Sequence, residues 1–96
     1  MKINNISIVI PILNEEKNLI RLIKEIEDVK NQMNLNNFEI ILVDDNSTDN
    51  TCKILNNIKS KKKFVRYFIR KKKRRDLTQS LFIGFNRSLY ENIVVM

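Results

Sequence analysis

The chain has no histidine and no tryptophan, and only one cysteine, one glycine and one proline among its 96 residues. Without His there is no imidazole general base, no His-containing triad and no His ligand for a metal. A single Cys excludes a disulfide framework and a cysteine-rich zinc site. One Gly and one Pro are too few for the turns of a loop-rich β-sandwich, and they exclude collagen-like and linker-like sequences. No apolar run approaches the roughly 20 residues needed to cross a bilayer, and the N-terminus shows no signal-peptide pattern. Neither G-x-G-x-x-G nor G-x-x-x-x-G-K-[ST] occurs, which excludes the usual dinucleotide fingerprint and the P-loop. These features predict a soluble chain of a reducing, cytoplasmic compartment.

With 43% hydrophobic and 30% charged residues, the chain can build a core, and its length predicts one small domain over 1–96. The charge is uneven. Residues 1–52 hold 5 Lys/Arg against 9 Asp/Glu, whereas residues 53–96 hold 13 against 2. Eleven of those cations fall in the 17 residues from Lys59 to Arg75. Such a rim suits an anionic partner: a diphosphate, a nucleic acid or an anionic lipid surface. A solvated surface is the bland alternative, because Ile, Asn and Lys make up 41 of 96 residues and so bias the composition throughout.

Ile6–Leu13 is a β-branched run of the kind that forms a strand buried on both faces, and Pro11 is expected to mark its end. Asn14 is a candidate N-cap, with Glu15 and Glu16 in the first turn. Leu19, Ile20, Ile23, Ile26 and Val29 then recur at helical spacing, predicting an amphipathic helix to about Met33. Phe38–Val43 reads as a second strand that stops at Asp44-Asp45. A polar loop follows, and a helix from about Asp49 to Lys59 turns Cys52, Leu55 and Ile58 inward, capped by Ser47 or Asp49. Phe64–Ile69 is a third strand and Arg70–Asp76 a charged loop. Leu77, Leu81, Phe82, Phe85 and Leu89 mark a third helix, and Asn92–Met96 opens a fourth strand that stops in mid-element. The β-α-β-α-β-α-β order predicts an α/β fold, a Rossmann-like parallel sheet. Ligands of such sheets sit at the carboxyl ends of the strands, here the loops Pro11–Glu16, Asp44–Thr51 and Arg70–Asp76.

Asp44-Asp45 is the sharpest feature. Adjacent carboxylates after a strand can accept hydrogen bonds from a base or sugar, hold a divalent cation or receive a phosphoryl group; in the bland reading Asp44 caps the loop and Asp45 faces water. Glu15 either compensates a helix dipole or joins Asp45 on one ligand, since neighbouring strands lie about 4.8 Å apart. Cys52 reads as core packing, and Ser47 and Ser80 have no His partner for nucleophilic chemistry.

S-I-V-I-P-I-L-N-E-E resembles the opening strand and P-x-[YF]-N-E turn of family 2 glycosyltransferases with the GT-A fold. E-I-I-L-V-D-D-N-S-T-D-N-T resembles the second strand and D-D-[GN]-S-x-D-x-T loop. The spacing from Ser80 to Gly84 and on to N-I-V-V-M resembles the family's third helix and next strand. Within the family the chain is most similar to the N-terminal part of dolichyl-phosphate mannose synthase and other polyprenyl-phosphate glycosyltransferases. Leu13 stands in place of the usual aromatic, Asp76 and Thr78 in place of glycines, and Ser80 in place of alanine.

The resemblance implies the nucleotide-binding half of an enzyme that transfers a hexose from a nucleotide sugar, GDP-mannose-like or a UDP-sugar, to a polyprenyl phosphate. Pro11, Leu13 and Glu15 match positions that contact the nucleotide, Val43 and Asp45, beside Asp44, those that hold the base, and Arg70 a basic position near the diphosphate. It further implies a Mg²⁺ or Mn²⁺ ion whose D-x-D ligands lie beyond Met96, a peripheral place on the cytoplasmic membrane face, no nucleic-acid partner, and no turnover by residues 1–96 alone. Two rivals remain from other classes. A receiver-type phosphoacceptor domain would place its Asp pair after the first strand and an Asp where Arg70 follows Ile69. A basic polyanion- or nucleic-acid-binding module would use Lys59–Arg75, with Phe64, Tyr67 and Phe68 as stacking platforms. A non-catalytic remnant is the third alternative.

Overall fold

The computed structural model describes residues 5–35, 37–71 and 76–96. The β-branched run forms β1 (Asn5–Ile12), followed by α1 (Leu19–Met33), β2 (Asn37–Asp44), α2 (Thr51–Lys61), β3 (Val65–Ile69), α3 (Leu77–Arg87) and β4 (Asn92–Val95). All pairings are parallel, in the order β3-β2-β1-β4. The expected α/β alternation is therefore present, and strand order reverses beside β1, where the chain returns from β3 through α3 to β4.

β2 is buried from Phe38 to Asp44, as a strand covered on both faces must be. Ile40 and Leu42 pack with Ile10 and Ile12 of β1, with Leu19, Ile23 and Ile26 of α1, and with Leu55 and Ile58 of α2. The alternate residues, Ile41 and Val43, turn to the opposite face, where α3 lies over β1 and β2. On α1 the inward stripe is narrower than the spacing predicts: Ile20 is 60% and Val29 52% exposed. Asn34 closes that helix in the left-handed conformation, at φ 52°.

Pro11 does not end β1; it lies inside the strand, opposite Val43. Ile12 directs its carbonyl to the Asp45 amide beyond the end of β2, so Pro11, one residue earlier, turns its nitrogen toward β4. The pairing of β1 with β4 runs to Val9, so Pro11, which has no N–H to donate, lies beyond the paired residues.

α3 reverses the expected face. Of its apolar markers Leu77, Phe82 and Phe85 are exposed and Leu81 is half-buried, Leu89 lies exposed beyond the helix end, and the residues buried against the sheet are Ser80 and Gly84. Close approach sets this choice. A Cβ at Gly84 would stand 2.2 Å from Val9 Cγ1 and 3.3 Å from its Cβ, and Val9 is fully buried in a strand. Gly84→Ala should therefore destabilise the fold by roughly 1–2 kcal/mol despite the higher helix propensity of Ala, as a chemical melt would measure. β4 is exposed along its whole length, at the sheet edge.

Candidate functional site

The loops after β1 and β2 are tied together by side chains. Asn14 adopts a left-handed backbone at φ 53°, a conformation that Asn tolerates better than most residues. Its amide oxygen accepts from the Thr48 amide at 2.8 Å and the Asp49 amide at 3.3 Å, while its own N–H donates to Ser47 Oγ at 2.8 Å. Asn14 is thus a clasp between loops and not the N-cap of α1, which begins after Asn18 with no side-chain cap. The Glu15 amide adds a bond to Thr51 Oγ1 at 3.0 Å. Asp49 accepts from the Thr51 amide at 2.9 Å and so serves the start of α2, whose N-cap position is Asn50.

The two adjacent aspartates have separate environments. Asp44 keeps the β2 alternation and points to the α2 side, with no exposed surface. It accepts from the Ser47 amide at 2.9 Å, from the Ser47 hydroxyl and from the Cys52 thiol at 3.6 Å. Asp45, past the strand end, turns to the α3 side. One of its oxygens accepts from Arg70 Nη1 at 2.7 Å and the other from the Asp76 amide at 3.1 Å. Arg70 and Asp45 are both about nine-tenths buried.

Beside Asp45 opens a cavity of about 390 Å³, lined by Pro11, Ile12, Leu13, Glu15, Asp45, Asp76, Leu77 and Ser80. The structure thus brings together four of the residues named from the sequence: Pro11, Leu13, Glu15 and Asp45. Arg70 joins them through its ion pair with Asp45. Val43 and Asp44 are not in the lining: both are fully buried, Val43 within the sheet and Asp44 under its own loop. Asp76, Leu77 and Ser80 enter from the first turn of α3. The one signal for them in the sequence is the small-residue pair Ser80 and Gly84, one helical turn apart, which marks the face that meets the sheet. The middle of the charged loop, residues 72–75, lies outside the described residues.

Among the described residues, two groups titrate away from their ordinary range. Burial pushes the Asp49 carboxyl up, but the hydrogen bonds it accepts from the Thr51 hydroxyl and from the Thr51 and Glu16 amides outweigh this and hold it below the usual aspartate range. The stabilisation linked to Asp49 is therefore present above the unfolded aspartate value and is lost as pH falls through the lower folded one. In a carboxyl NMR titration the Asp49 midpoint should lie below the ordinary range and move up in Thr51→Val. Burial, then the neighbouring Asp44 carboxylate, pushes the Cys52 thiol up, which keeps it protonated and unreactive.

The aromatic rings of the basic stretch already carry cations. Lys30 stands 4.8 Å and Lys62 5.8 Å from the Phe64 centroid, Lys59 5.7 Å from Tyr67, and Arg87 and Arg66 5.0 and 5.8 Å from Phe68. Stacking of bases on these rings would have to displace those contacts. Among the described residues, no helix is long and apolar enough to cross a membrane, and no group of three or more Asp, Glu or Cys is placed to hold a metal ion.

A four-stranded parallel sheet with alternating helices, and a carboxylate-bearing cavity over the ends of its two inner strands, defines an open-sheet α/β domain. The family model described as glycosyl transferase family 2 matches residues 7–96, and the chain belongs to that family. It is 33% identical over 91 residues to a dolichol-phosphate mannosyltransferase of Pyrococcus furiosus, covering 95% of this chain and 24% of that protein. It is 44% identical over 54 residues to an undecaprenyl-phosphate 4-deoxy-4-formamido-L-arabinose transferase of Proteus mirabilis, covering 56% of this chain and 16% of that protein. The chain spans 16% to 34% of the length of the curated relatives it matches. In fold it is similar to residues 1–349 of S. aureus TarS, with a TM-score of 0.76 at 18% identity over 96% of this chain and 26% of that one.

Proposed function

We propose that the cavity is the base and ribose site for the nucleotide-sugar donor of a transferase acting on a polyprenyl phosphate. The observation that carries this reading is the convergence of Pro11, Leu13, Glu15 and Asp45 on one cavity at the reversal of strand order, the place where open α/β sheets bind ligands. Asp45 accepts from a ring N–H of guanine or uracil, and Glu15 from a ribose hydroxyl or base amine. Pro11, Leu13 and Leu77 supply apolar contact. A cavity lined by three carboxylates repels phosphate, so the diphosphate points outward, toward the side where Arg70 and Lys71 bring positive charge. The names of the two transferases above support a polyprenyl phosphate as acceptor, and the basic stretch from Lys59 supports a peripheral place at an anionic membrane face.

Mg²⁺ or Mn²⁺ belongs to this proposal as the ion that neutralises the leaving diphosphate. The described residues gather no ligand set for it, so their part is to bind and orient the nucleotide. Calorimetric titration of the folded chain with GDP and with UDP, each with and without Mn²⁺, tests the reading. Saturable binding of one diphosphate is expected, and no saturable heat with either would contradict it.

A further inference from the structure

Ser80 lies in the first turn of α3, 1% exposed, and its hydroxyl has no hydrogen-bond partner among the described residues. A buried hydroxyl in a helix commonly bonds the carbonyl one turn back. Here the Asp76 carbonyl takes the Ser80 amide at 3.1 Å, and the hydroxyl is left unused. Buried polar groups are rarely left so, and this one borders the cavity that holds Asp45 and Glu15.

The other lining side chains give the hydroxyl its meaning. Glu15, Asp45 and Asp76, when ionised, only accept, and Pro11, Ile12, Leu13 and Leu77 are apolar. Among the described residues, Ser80 is the single side-chain donor in the lining. A ligand carbonyl entering the cavity therefore finds one side chain to bond, next to carboxylates that require ligand N–H or O–H groups.

We propose that Ser80 is a specificity-determining residue whose hydroxyl donates to the ring carbonyl adjoining the ring N–H that Asp45 accepts. This inference rests on the nucleotide reading above and deepens it. Uracil and guanine carry a carbonyl beside a ring N–H, so both partners are matched. Cytosine and adenine present a ring nitrogen lone pair beside an amine, which sets that lone pair against the Asp45 carboxylate; adenine, which has no carbonyl, also leaves Ser80 without its acceptor. A site that hydrogen-bonds its ligand in this way rejects the mismatched one, because its polar groups stay unpaired.

The test is calorimetric titration of the full chain and of Ser80→Ala and Asp45→Ala with UDP, GDP, CDP and ADP, with a thermal melt of each unliganded protein. The expected result is that UDP or GDP binds and CDP and ADP bind more weakly. Ser80→Ala should weaken the favoured diphosphate by roughly three- to tenfold, the share of one neutral hydrogen bond, and narrow the discrimination by the same factor. Its melting temperature should stay level or rise, because a buried hydroxyl without a partner is removed. Unchanged affinity in Ser80→Ala, while Asp45→Ala still loses binding, overturns the Ser80 assignment and leaves the nucleotide reading standing. A Ser80→Ala protein that loses stability and affinity together shows a structural role and also overturns it. If no diphosphate binds the folded chain, or all four bind alike with and without Asp45, both readings fall.

Discussion

Asp45→Ala is expected to weaken nucleotide diphosphate binding by roughly ten- to hundredfold, the range of a lost charge-assisted hydrogen bond in a dehydrated site. Asp45 is 8% exposed and already accepts from Arg70 and from the Asp76 amide. A carboxylate has about four lone-pair directions, so two of them remain to serve the cavity. The existing partners are what hold the carboxylate in place: Arg70 comes from the residue after β3 and the Asp76 amide from the start of α3, so the carboxylate is fixed from two further elements. Asp45→Ala also removes a partner from the nine-tenths-buried Arg70, and some stability will be lost with it. Asp45→Asn separates the two effects. It keeps the shape and one oxygen acceptor for Arg70, so less stability should be lost than in Asp45→Ala, while the charge-assisted part of binding disappears. Unaltered affinity in both variants would show that the cavity is not where the nucleotide sits.

The second large effect lies below the site. Glu39, on β2, is 3% exposed. Arg66 donates to one of its oxygens from both Nε, at 3.0 Å, and Nη2, at 2.7 Å. The other oxygen accepts from the Ser7 hydroxyl at 2.6 Å and the Leu89 amide at 2.7 Å, and Ser7 Oγ accepts from the Tyr90 amide at 3.2 Å. One carboxylate thereby joins β1, β2, β3 and the turn that leads from α3 into β4. Arg66→Met should lower the unfolding free energy by about 3 kcal/mol, because it leaves a buried carboxylate without its cation. Arg66→Lys should recover part of that loss, since an ammonium does not reproduce the two-pronged contact. A urea melt reads both, and a change in Arg66→Met no larger than that of an exposed ion pair, at most about 1 kcal/mol, would contradict the role assigned to Glu39.

The order of elements was legible because apolar residues recur with two distinct periods, near-continuous in Ile6–Leu13 and Phe38–Val43 and helical from Leu19 and from Leu55. The pairing of Glu15 with Asp45 was legible too, because parallel strands with adjacent ends bring their following loops together. Hydrophobicity misled where closeness governs: on α3 the large residues Leu77, Phe82 and Phe85 are exposed, and Ser80 and Gly84 are the ones buried, Gly84 against Val9. Local rules misled at Asn14. A cap acts within one turn of its own helix, but Asn14 spends its hydrogen bonds on a loop more than thirty residues away. With one Gly in the chain, the left-handed positions among the described residues fall to Asn14, Asn34 and Asn46, and nothing local distinguishes these from the chain's other asparagines. Asp44 and Asp45 look alike in the sequence, and only the strand alternation, ended at Asp44, sends one under its loop and the other to the cavity.

The most direct test of the proposed nucleotide site is an amide NMR titration of the isotope-labelled chain with UDP and GDP. Progressive shifts centred on Leu13, Glu15, Asp45, Leu77 and Ser80, saturating with the calorimetric affinity, are the predicted result. Shifts confined to the basic stretch around Lys59–Lys63, with the cavity amides unmoved, would contradict it and identify the chain as a binder of polyanions by charge.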